Sequence, residues 1–134
     1  MDFSSLVLME KDKETGYMSK ELGSFQVGEG ALYVRKLFVT GDIVNLYFDT
    51  NKDVEEWEYS AIYDLFNKEI FEQSGFEIDE DLEEYNPTFI LKFAYSNEYS
   101  DMKVVIDKAV SLIDKEMTSV FENIKGKEEE YKEE

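Results

Sequence analysis

The hydrophobic period of this chain changes partway along its length, and that change limits the folds open to it. Between residues 32 and 48 apolar side chains alternate with polar ones, the pattern of strands whose two faces meet different surroundings. Leu32, Val34 and Phe38 fall on one side, and Tyr33, Arg35, Leu37 and Val39 on the other. Gly41-Asp42 follows, a two-residue hairpin signal with glycine in first place. Val44, Leu46 and Phe48 then share a face of the returning strand. From Val54 the period lengthens. Val54, Trp57, Ala61 and Leu65, with Ile62 and Phe66 beside them, recur at helical spacing, and Ile70 and Phe71 carry the pattern to a stop at Gly75. Asp53 is the expected N-cap, with Glu56 three residues on as its partner in a capping box. A longer stripe follows. Met102, Val105, Ile106, Ala109, Ile113, Met117, Val120 and Ile124 lie along one helical face, with Ser96 or Ser100 as cap and Gly126 as terminator.

The remaining elements read as strands. Leu6, Val7 and Leu8 form a short apolar run, and Lys13 to Gly16 has turn composition. Residues 17–27 give a ragged strand that Gly23 interrupts, as at a bulge. Pro87 precedes an alternating strand of Phe89, Leu91, Phe93 and Tyr95. The order is β-β-β-β-α-β-α. It predicts an α+β fold: a mostly antiparallel sheet of about five strands with two amphipathic helices packed on one face. Residues 1–126 form one expected domain, and 127–134 a polar, frayed tail. A chain of 134 residues, 43% of them apolar, can bury one core without metals or disulfides.

Charge divides the chain differently. There are 32 acids and 14 bases, a net charge of −18. Residues 49–84 hold 14 of the acids and 2 of the bases, so two thirds of the net charge sits in 36 residues. Such a field repels nucleic acid and anionic membranes and attracts basic proteins or cations. No apolar run is long enough to span a bilayer, and the N-terminus lacks the basic start of a signal peptide. With no cysteine, the expectation is a cytoplasmic protein.

The chemistry on offer is narrow. No histidine and no cysteine occur, which removes histidine-bearing triads, cysteine nucleophiles and His/Cys zinc sites. The expectation is no enzyme and no cofactor. Asp49, Asn51 and Asp53 open like a calcium loop, but Val54 stands where its glycine belongs and Ser60 where its final glutamate belongs. Asp79 and Asp81 are a second weak cation candidate. Glu55, Glu56, Trp57, Glu58 and Tyr59, with Asp79, Glu80 and Asp81, combine acids with aromatics and are the expected partner-binding residues.

The stretch DTNKDVEEWEYSAIYDLFN, with the opening MDFSSLVLMEKDKETG, resembles a family of small acidic proteins of unknown function from Gram-positive anaerobic bacteria. The resemblance implies a bacterial cytoplasmic protein and supplies no activity, ligand or catalytic residue. On the residues alone the leading expectation is a non-enzymatic acidic interaction module working through 49–84. A nucleic-acid-mimicking inhibitor of a basic protein and a weak divalent-cation binder are the alternatives. A homodimer is a further expectation, since sheet edges need protection.

Overall fold

The computed structural model describes residues 4–132. Strands β1 (Ser4–Lys11) and β2 (Met18–Val27) form a hairpin. Its turn is organised by Asp12, whose Oδ1 accepts the N–H groups of Glu14 at 2.8 Å and Thr15 at 3.0 Å. Those two bonds hold the Asp12 carboxyl below its ordinary value. Opposite Leu8 the ladder slips by one residue at Leu22 and Gly23, which is the expected bulge.

A 3-10 turn (Glu29–Tyr33) then crosses to β3 (Val34–Thr40). Gly30 is required there, because a Cβ at that position would collide with the carbonyl oxygen of Val110 on the long helix. The crossover lays β3 parallel to β1, with Met9 beside Phe38 and Glu10 beside Val39. β3 and β4 (Ile43–Asp49) form the expected hairpin around Gly41, whose φ of 64° suits glycine. A bulge at Arg35 shifts the phase of β3. Val34 therefore packs inward with Leu37 and Val39, while Phe38 faces the other way.

The first helical region is shorter than expected. α1 (Glu56–Leu65) stops at Phe66, and a separate turn, α2 (Glu69–Glu72), carries Phe71. The break has a partner: Asn67 donates its backbone N–H to Glu116 Oε2 at 2.9 Å. The cap also moves by two residues. Glu55, not Asp53, is the N-cap, and its N–H donates to Glu58 Oε1 at 2.8 Å. Gly75, with φ of 93°, ends α2, and the Phe76 N–H returns to the Phe71 carbonyl at 3.0 Å.

Residues 77–80, expected as part of an acidic loop, are a sixth strand, β5 (Glu77–Glu80), paired antiparallel with β6 (Thr88–Ala94). Alternation explains it, since Ile78 points into the core opposite Leu91 and the acids flank it. The sheet is thus mixed and six-stranded, in the order β2-β1-β3-β4-β6-β5, with β1–β3 as its parallel pair. α3 (Tyr99–Ile124) buries the predicted stripe and ends before Gly126. Its cap is neither Ser96 nor Ser100 but Glu98, and Ser96 Oγ accepts the Glu98 N–H just outside the helix. Residues 128–132 of the expected tail form α4 (Glu128–Lys132) against α1.

The helices and the inner sheet face enclose one core. Its centre is aromatic: the Phe48 ring lies 5.4 Å from Phe89, 6.0 Å from Phe71 and 6.1 Å from Phe66. Among the described residues the outer face carries no helix, and Phe38 is the buried apolar side chain that stands outside the core cluster, on that bare face.

Candidate functional site

The acids of residues 49–84 do not make one continuous surface. Asp49 and Asn51 converge on Arg35, which donates to Asp49 Oδ1 at 2.8 Å and to Asn51 Oδ1 at 2.6 Å. Asp53 turns away and accepts from Asn86 Nδ2 at 3.1 Å. The residues with calcium-loop spacing therefore serve a guanidinium and an amide, and they do not converge on a common point. Strand alternation splits the next cluster. Asp79 lies on the outer sheet face, 3.5 Å from Lys92, while Glu80 lies on the helical side, 3.0 Å from Lys68. Asp81 Oδ1 accepts the Glu83 N–H at 3.2 Å and tightens the loop that follows. Among the described residues no three acidic side chains meet in a way that would hold a metal ion.

What the fold does bring together is the start of α1 and the loop 81–87. Three side chains fasten the loop. Asn86 Oδ1 accepts the Val54 N–H at 3.2 Å. Tyr63, in the last turn of α1, accepts the Thr88 N–H at 2.9 Å and donates to the Thr88 carbonyl at 3.2 Å. Burial is the main cause that pushes the Tyr63 hydroxyl well above its ordinary value. Tyr59 reaches the Leu82 carbonyl at 3.4 Å and packs edge-on to Tyr63, with ring centroids 5.0 Å apart. Held this way, the loop presents Leu82 and Tyr85 to solvent, 64% and 77% exposed, beside Glu83 and Glu84. Tyr85 closes one side of a shallow hollow of 220 Å³, whose other walls are Val54, Glu55, Glu56 and Tyr59. Leu82 and Tyr85, three residues apart on one loop, thus place apolar area within a run of carboxylates.

Trp57 faces the other way. It stands between a groove of 630 Å³, walled by Lys52, Glu58, Phe121 and Lys125, and a smaller hollow of 480 Å³ that reaches Tyr131 and Lys132 on α4. Lys52 Nζ sits 4.6 Å above the Phe121 ring. The Trp57 indole N–H is buried without a hydrogen-bond partner among the described residues. The predicted set is therefore divided. Glu55 and Glu56 border both the loop edge and the α4 hollow, Tyr59 joins the loop edge, Glu58 caps the helix, Trp57 belongs to the α4 side, and Asp79, Glu80 and Asp81 are spent on local contacts. Leu82, Tyr85 and Asn86 were not legible as site residues. The one available signal was two apolar residues, Leu82 and Tyr85, in a segment with no base.

Sheet, bare outer face and fastened acidic loop define an α+β domain of two layers. The chain belongs to the family of unknown function DUF6762, which it matches over residues 1–132. No curated protein and no solved structure matches it.

Proposed function

We propose that this protein is a non-enzymatic interaction module that holds a basic partner protein on the edge formed by the start of α1 and the loop 81–87. The observation that carries the reading is Tyr85 and Leu82, exposed among Glu83, Glu84, Glu55 and Glu56 on a loop already ordered by Asn86 and Tyr63. Exposed apolar groups supply contact area, the ring of carboxylates supplies orientation, and a fastened loop loses little entropy on binding.

Nucleic-acid mimicry is less well supported, because the carboxylates of β5 point to opposite sides of the sheet and make no single phosphate-like row.

Immobilised protein should retain a basic protein from native lysate in low salt and release it as salt screens the contact. Tyr85→Ala and the pair Glu83→Lys with Glu84→Lys should each lose that protein, while Val104→Ala, an exposed change on α3, should keep it. Retention by all variants alike, or no retained basic protein, overturns the reading.

A further inference from the structure

The outer sheet face differs from the rest of this acidic molecule. Pairing register identifies its members. Lys36 and Phe38 of β3 stand opposite Tyr47 and Asn45 of β4, with Met9 beside Phe38 on β1 and Ile90 beside Tyr47 on β6. Phe38 and Tyr47 stack at 5.9 Å; Lys11 lies 4.7 Å above the first ring and Lys36 4.9 Å above the second. Val7, Met18 and Ile43, on the same face, are 42%, 44% and 41% exposed. A sheet face turned permanently to water normally alternates to polar residues; this one keeps an apolar and aromatic band across its middle strands.

Its charge is also balanced. Lys11, Arg35, Lys36 and Lys92 are matched by Glu21, Asp49, Glu77 and Asp79. Four bases against four acids leave the face neutral, so the net −18 lies elsewhere on the molecule. Two copies meeting here bring together faces without net charge, so the repulsion between two bodies of −18 is weakest where they touch.

We propose that the bare sheet face is a homodimer interface, with two copies packed face to face. Size permits it: six strands about 4.8 Å apart and about seven residues long give about 600 Å² in plan, before side-chain relief is counted. A standard specific interface takes about 800 Å² of accessible surface from each partner. The proposal is independent of the basic-partner reading and uses a different surface.

Light scattering on the eluting full chain, over a concentration series in low and high salt, tests it. The expected mass is twice the 15.7 kDa of the chain at the upper concentrations. The dimer should strengthen with salt, because screening relieves repulsion between two highly negative bodies. Binding of a basic partner has the opposite salt dependence, so either idea can fail alone. Val7→Lys and Ile43→Lys should each weaken the dimer about tenfold or more, the loss expected for a charge placed in an apolar contact, whereas Tyr85→Ala should not. A second readout needs no variant: acylation of Lys11 and Lys36 in the wild-type chain should fall as concentration rises, while that of Lys115 on α3 stays constant. A mass of 15.7 kDa at every concentration and salt overturns the proposal, as does a dimer in which Lys11 and Lys36 stay fully reactive.

Discussion

Glu116 shows how one side chain can set a chain path. It is 5% exposed on the otherwise apolar face of α3, and its carboxylate accepts the N–H of Asn67, where α1 gives way to α2. Burial raises its pKa above the ordinary value of 4.5, partly offset by the hydrogen bond from Asn67. A raised carboxyl pKa means that the folded state prefers the protonated form. The associated stability is complete below the unfolded pKa and is lost as pH rises through the folded one. Glu116→Gln keeps an acceptor and removes the charge. Urea unfolding at pH 7 should find it at least as stable as wild type, with the difference shrinking as pH falls toward 4.5. Glu116→Ala leaves the Asn67 N–H without a partner and should cost about 1–3 kcal/mol at either pH. At the same scale, Phe48→Ala removes the ring shared by three others and should cost about 3–5 kcal/mol in the same assay.

At the scale of elements, the loop 81–87 and α4 are both short pieces held by a few contacts. Asn86 links the loop to the residues before α1 through its carbonyl, which accepts from Val54, and its amide, which donates to Asp53. Asn86→Ala should raise hydrogen exchange at Val54 and across 81–86 while leaving the amides of β4 and β6 protected, at a cost of about 1–2 kcal/mol in global stability. α4 rests on α1 through Tyr131, whose hydroxyl donates to Asp64 Oδ2 at 2.6 Å. That bond pushes the Tyr131 hydroxyl up to about 12. Here too the folded pKa is raised, so the contact persists below the ordinary tyrosine value of 10.0 and is lost as pH rises through about 12. Trp57 borders the hollow that α4 helps to wall. Tyr131→Ala should therefore shift Trp57 fluorescence to the red at pH 7, and an unchanged emission maximum would show that α4 does not shelter the indole.

Across the whole molecule, a net charge of −18 on 134 residues opposes compaction through self-repulsion. Most ion pairs among the described residues are surface contacts such as Lys125–Glu122 and Lys103–Asp107, each worth little. The core must supply the stability, and the unfolded chain relieves the repulsion. Thermal unfolding of the monomer at low concentration should move upward by several degrees between low and moderate salt; a downward shift would mean that paired charges, not repulsion, dominate.

Much of the architecture was legible from spacing alone. The β3–β4 hairpin follows from alternation on both sides of Gly41, and α3 from a stripe that holds its period for six turns. Those are local properties, set by which residues share a face, and no other part of the chain need be known to read them. The acidity of 49–84 was equally plain. Its partition was not. Whether Asp79 and Glu80 look out to opposite sides, whether Asp49 meets a metal or Arg35, and whether Leu82 and Tyr85 end buried or open depend on residues in other elements of the fold. The parallel β1–β3 pair, the sixth strand and the break at Asn67 have the same origin: each is settled by a partner distant in sequence, Gly30 against Val110, Ile78 against Leu91 and Glu116 against Asn67. Composition determined how much charge and how much apolar surface this chain carries. Tertiary packing alone decided which of it is buried, which is paired, and which is left exposed to solvent.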